Sequence, residues 1–221
     1  MDARAKPAAD AGKAGFQCPW RWLAALACVF VVVHLGYYAA GVRFNRGTLV
    51  EVMHFLDPEL LAHRLLESVW HLHIQPPLMN LCTGLVLKAT PDAAWLFQGV
   101  FLLFGLTLYL CVFLLQLRLG VPRRLAAVLA TLFMASPAFI LWEHFLLYTL
   151  PCAALLALAA VLLFAVLERA PRAATAGFFA TLLVLCGTRS MFHLGYYALV
   201  AAAVLARSEE HTSELQSPLC I

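Results

Sequence analysis

The side chains able to do chemistry crowd into a few short stretches of an otherwise apolar chain. The longest begins at Arg43 and reads RFNRGTLVEVMHFLDPELLAHRLLESVWHLHIQPPLMN, holding Asp57, Glu59, His63, Arg64, Glu67, His71, His73 and Gln75. A second is the pair Glu143-His144, and a third joins Arg189 to His193. A carboxylate such as Asp57 can take the proton of an attacking hydroxyl. Imidazoles, an amide and a guanidinium can hold a phosphate, arginine through forked contacts.

Each of these residues also has an ordinary reading. Asp57 before Pro58 is a helix start, with aspartate as N-cap and proline at the first helical position. His63, Glu67 and His71 recur at steps of four, which suits either metal ligands or a solvated face. His73, Gln75 and Pro76-Pro77 can mark a helix boundary, because the residue before proline avoids helix. Glu143-His144 fits a short polar turn between two apolar runs. Arg189 and His193 flank an apolar run, where snorkelling is common. His34 lies within the first apolar run and reads as packed against another helix.

The elements that must position these groups are membrane helices. The 221 residues are 63% hydrophobic and 12% charged, with mean hydropathy +0.86. A soluble chain is about 45–50% apolar and about 25% charged. This excludes soluble, disordered, coiled-coil and nucleic-acid-binding classes. Seven cysteines show neither CxxC pairs nor metal spacing, and five lie in apolar runs as small hydrophobes.

A bilayer core of about 30 Å needs about 20 apolar residues per helix. Spans are expected at Trp22–Ala40, Ala94–Leu117, Leu125–Leu141, Phe145–Leu167 and Ala173–Gly187. A sixth begins near Met191 and is cut at Ala206. The first is an anchored helix rather than a cleaved signal peptide. Pro76–Ala89 is too short for a full crossing, and charge agrees. If it does not cross, Arg4, Lys6, Lys13, Arg21, Arg118, Arg123, Arg124, Arg169 and Arg172 lie inside. Arg43, Arg46, Arg64, Lys88 and Arg189 then lie outside, as the positive-inside rule requires.

The expected fold is thus all-α and polytopic, with about five full spans plus a truncated sixth. Residues 1–20 form a cytoplasmic basic tail, and 43–93 an external loop. In that loop Leu61, Leu65, Val69 and Leu72 give an amphipathic helix whose apolar side dips into the outer leaflet. A short proline-started helix follows. No Asp, Glu, Lys or Arg lies inside the longer spans away from their ends, which disfavours ion-coupled transport.

This pattern resembles the GT-C superfamily of membrane glycosyltransferases that use polyprenyl-phosphate sugars. The nearest likeness is to Rgt-type and protein-mannosyltransferase-like (family 39) members, over roughly Trp22 to Ala206. The acidic motif after the first span is matched by Asp57-Pro58-Glu59, where the family has Asp-Glu. The His-Pro-Pro-Leu motif is matched by Gln75-Pro76-Pro77-Leu78, with the histidine displaced to His73. The basic cytosolic turn is matched by Arg118 to Arg124, and the later Ser-Pro with an acidic residue by Ser136-Pro137 and Glu143.

The resemblance implies transfer of a sugar from a polyprenyl-phosphate donor to a glycan, lipid or protein acceptor at the external face. Asp57 would be the base and Glu143 would position the acceptor or a divalent metal, which Asp57 and Glu143 would share. Glu59, His71, His73, Gln75, His144, Arg189 and His193 would bind substrate. The implied setting is a bacterial plasma membrane, with no nucleic-acid partner. Other readings are a GT-C-like ligase or non-catalytic assembly subunit, and a transporter. Residues 207–221, RSEEHTSELQSPLCI, read as translated sequencing adapter. On that expectation the natural chain is cut near Ala206 and the fragment is inactive.

Overall fold

The computed structural model describes residues 19–47, 49, 55–72, 75–90, 94–168, 172–190, 192 and 194–204. The tail at 207–221 and most of the basic N-terminal tail lie outside them. Among the described residues the chain is all-helical, with no strand. The first helix, α1, is Trp20–Ala39. Two short helices follow, α2 (Pro58–His63) and α3 (Leu65–Trp70), and then α4 (Pro77–Ala89). The longest is α5, Ala94–Arg118. Next come α6 (Arg123–Met134), α7 (Pro137–Glu143), α8 (Thr149–Leu167) and α9 (Arg172–Thr188). A further apolar helix, α10, covers Leu194–Val204.

Helices α1, α5 and α8 are long and apolar enough to cross a bilayer. They account for the first, second and fourth expected spans. The third, Leu125–Leu141, is corrected: it is the pair α6 and α7, bent by 61° at Ala135-Ser136. Ser136 Oγ accepts the Phe139 amide hydrogen as an N-cap, and Pro137 occupies the first position of α7. Serine and proline in that order restart a helix rather than continue one. Helices α9 and α10 are shorter apolar helices. Among the described residues, length and composition thus carry three crossings, or four if the bent pair is one.

The amphipathic helix after Asp57 is also corrected, because it breaks in two. Arg64 leaves helical geometry at φ −126° and ψ 41°. Leu61 and Leu65 nonetheless keep their four-residue step and are both buried. They pack on α4, where Leu65 Cδ1 lies over Gly84, rather than both dipping into lipid. Leu66 and Trp70 point away and are exposed. At 13 residues, α4 reaches only about 20 Å, short of a bilayer core. It packs on α2, α3 and α9.

Helix α5 is the axis of the bundle and touches α1, α6, α7 and α8. Its end is a tight stop: Gly120 takes φ 83°, and the Val121 amide bonds to the Gln116 carbonyl at 3.0 Å. That glycine cap turns the chain at the basic segment Arg118–Arg124. The opposite end of α5 is fixed by aromatics. Phe44, from the loop after α1, stacks on Phe97 at 6.0 Å and meets Phe101 edge-on at 5.1 Å. Asn45 next to it pairs with the α7–α8 connection, its amide bonding to the His144 carbonyl at 2.7 Å. The chain segments that follow α1 and α7 are therefore locked together beside the start of α5.

Close approach at Gly84 gives a direct test. Any β-carbon there would overlap Leu65 and press on the Leu61 carbonyl oxygen. Gly84→Val is expected to cost about 1–3 kcal/mol of stability, as overpacking does. Thermal unfolding in detergent, with limited proteolysis at the Arg64 break, reads it out.

Candidate functional site

The most constrained polar group in the bundle is Glu143. Helix α7 is only seven residues long, and the cap at Ser136 sets its direction so that its last residue turns inward. Glu143 is fully buried, and the neighbouring His144 is 7% exposed. The expected polar turn at Trp142–His144 is therefore a helix end facing the interior. Glu143 Oε2 is bonded to His34 Nε2 from α1. Its other oxygen, Oε1, has no hydrogen-bond partner and lies over Gly105 of α5, where a methyl group would overlap it. One carboxylate thus ties three helices together.

Proton bookkeeping follows from the partners. His34 Nδ1 lies 2.7 Å from the Phe30 carbonyl oxygen, which can only accept, so Nδ1 donates. The His34–Glu143 contact then needs one further proton, held on Nε2 or on Oε2. Either arrangement is neutral overall, so the pair buries no net charge. His144 repeats the motif: its Nδ1 donates to the Ile140 carbonyl at 3.0 Å. The two imidazole planes are nearly parallel, 8° apart, with centroids separated by 6.4 Å.

His34 and His144 line a cleft of about 530 Å³ between α1 and the first half of α5. Tyr38, Trp95 and Gln98 lie on the same wall, and Phe30 and Leu106 on its apolar part. A second cleft, of about 650 Å³, lies between the start of α4 and the end of α9. Gln75, Pro76, Leu78, Gly187, Ser190 and Phe192 line it. Leu78 packs against Gly187, which brings the two helices close. Between Gly187 and Ser190 in the chain, Arg189 holds its guanidinium 4.5 Å over the Tyr148 ring.

The sequence-derived candidates are thus distributed among several settings. Asp57 is exposed and caps α2, its Oδ1 accepting the Glu59 amide hydrogen at 2.8 Å. Glu59, His63, Glu67 and His71 are exposed on α2, α3 and the turn after them. Gln75 lines the α4–α9 cleft, and Arg189 lies at the start of α8 through Tyr148. Glu143 and His144 share the interior with His34. His73 and His193 lie outside the described residues. Among the described residues no three His, Cys, Asp or Glu side chains converge as a metal set, so Asp57 and Glu143 are not in one.

Sequence reasoning missed the role of His34, which it took only as a packed residue. One signal was available: a titratable side chain inside an apolar span is costly and needs a partner. Its partner stands 109 positions away, and no local pattern could name it. Gln98 and Gly105 were not singled out at all. Comparison with family models, curated proteins and solved structures finds no match to the chain.

The buried pair predicts its own mutational signature. His34→Leu leaves an unpaired buried carboxyl and is expected to cost about 3–5 kcal/mol. Adding Glu143→Leu should recover much of that loss. Thermal unfolding of both single variants and the double variant in detergent measures the coupling; additive losses would show that the pair is not energetically linked.

Proposed function

We propose that this chain carries the membrane region of a glycosyltransferase, moving a sugar from a polyprenyl-phosphate donor to an acceptor at the external face. The observation that supports the reading best is the cleft between α4 and α9. It is apolar over most of its wall, Gln75 lines it, and Arg189 lies between its lining residues Gly187 and Ser190 in the chain, with its guanidinium over Tyr148. An apolar groove with an amide on its wall suits a lipid tail that ends in a polar head. The motif Gln75-Pro76-Pro77-Leu78 forms part of its wall, which is the segment that the family likeness singles out.

On this reading the acceptor oxygen attacks the anomeric carbon while its proton passes to Asp57. The bond from that carbon to the phosphate oxygen breaks, and the phosphate keeps the electron pair. Donors such as Gln75 and Arg189 stabilise the departing charge, so no acid is required. The cap bond uses Oδ1 of Asp57, and a carboxylate has a second oxygen for the proton. Glu59, His71, His73 and His193 would contact substrate from the same loop and from the α9–α10 connection. Glu143 and His144 would act from within the bundle, holding the loop after α1 in place rather than meeting a substrate phosphate.

The positive-inside distribution supports a cytoplasmic N-terminus and an external working face. The decisive experiment measures transfer in isolated membranes that hold the protein, with a radiolabelled polyprenyl-phosphate sugar. Asp57→Asn should lower transfer by a factor of at least about 10² while membrane insertion is unchanged, the effect of losing a general base. Undiminished transfer would remove Asp57 from the base role.

A further inference from the structure

The cleft between α1 and α5 has a polar inner wall that the proposed sugar transfer does not use. Its lining includes no Asp, Glu, Lys or Arg. His34 on that wall is already bonded to Glu143 Oε2, and the pair is neutral overall. His144 is different. With Nδ1 donating to Ile140, its neutral ring carries the lone pair on Nε2. That nitrogen makes no hydrogen bond among the described residues, and it is not among their buried orphaned atoms, so it is open to the cleft that His144 lines. An open acceptor on a mostly apolar wall offers a place for a donor.

The surroundings define the donor's chemistry. Gln98 lines the same cleft and can both give and take a hydrogen bond. Leu102 and Leu106 continue the wall with apolar surface, and Val31, Leu35 and Leu103 open on its outer side, exposed. Both α1 and α5 are long and apolar enough to cross the bilayer, so this opening faces lipid chains. The volume of about 530 Å³ falls in the range of small-molecule sites.

We infer that this cleft binds an uncharged, hydroxyl-bearing membrane amphiphile, entering from the bilayer with its O–H donated to His144 Nε2. A phosphodiester or ester head offers only acceptors and would leave Nε2 unsatisfied. A charged head would be buried without a counter-charge. A hydroxyl satisfies both neighbours, since its oxygen accepts from the Gln98 amide. The chain of the amphiphile lies along Leu102 and Leu106.

One position makes the site testable without disturbing its walls. Gly99 lines the cleft, and a β-carbon built there meets nothing within 4 Å. Gly99→Leu therefore fills the cleft from open space and also removes a helix-interior glycine, which favours α5. The probe is a long-chain primary alcohol carrying a photoactivatable diazirine, compared with its methyl ether, on the chain reconstituted in liposomes. Peptide mapping should place the alcohol label within α5 near Gln98 to Leu106. The alcohol should label about tenfold more than the ether, the change one buried hydrogen bond brings. Gly99→Leu should abolish that label, and His144→Phe should erase the preference for alcohol over ether.

Equal labelling by alcohol and ether would overturn the proposal and reveal ordinary lipid contact only. So would a label that Gly99→Leu leaves intact. The alcohol–ether comparison on the unmodified chain decides the matter even if a variant fails to fold. Neither readout involves sugar transfer, so failure here and failure of the glycosyltransferase reading are separable.

Discussion

A carboxyl group with no exposure, inside helices that face lipid, is the constraint around which this bundle is arranged. Glu143 cannot stay there unless something supplies a proton or a cation, because an unpaired charge in such a setting is prohibitive. His34 supplies that partner from α1, and the Phe30 carbonyl fixes which nitrogen it offers. Gly105 supplies the space on α5. Removing Glu143 or His34 leaves an unpaired polar atom or a void, and any side chain at Gly105 overlaps the carboxylate. The same helix end holds His144, whose carbonyl pins Asn45 and so the loop after α1. Local structure, packing and the two histidines of the cleft all trace to where α7 stops.

How much of this was legible in the sequence depends on the range over which each signal acts. Apolar length marks α1, α5 and α8 directly, because each must satisfy its backbone within one continuous run. Asp57-Pro58 marks the start of α2 for an equally local reason, and the Asp57 cap is present. Ser136-Pro137 carries the same kind of signal. A reading by hydropathy alone passes through it, since apolar residues continue on both sides of the bend. The Arg64 break was hidden differently: the four-residue step from Leu61 to Leu65 survives it, so periodicity registers one helix where there are two. Long-range pairing left no trace of either kind. His34 and Glu143 meet only because α7 is short and redirected, a fact about three dimensions.

The polar residues fall into two populations that obey different rules. Asp57, Glu59, His63, Glu67 and His71 are exposed, and water can solvate each without help from the fold. Their geometry is set locally, by the cap and the short helices, and a substrate can reach them. His34, Glu143 and His144 are interior and cannot tolerate an unbalanced charge, so each is tied to a carbonyl or to another member of the set. Only the second population needs the whole bundle. This division explains why the exposed residues can be read from local pattern while the interior cluster has to be found in the structure.

Small residues decide where the helices approach and where they leave room. Lipid chains are as apolar as leucine, so helices in a bilayer gain from close packing rather than from escaping solvent. Gly84 receives Leu65, Gly105 receives Glu143 and Gly187 receives Leu78. In each case a side chain from a neighbouring element fills the space that a β-carbon would have taken, and the contact joins α3 to α4, α7 to α5 or α4 to α9. Gly99 is about one and two-thirds turns before Gly105 on the same helix, yet nothing among the described residues occupies its space. A helix-interior glycine is unfavourable by about 1 kcal/mol relative to alanine, and at Gly99 no contact among the described residues offsets that. The same physics that makes three glycines into joints makes the fourth the floor of an open cleft, beside His144, whose Nε2 makes no hydrogen bond among the described residues.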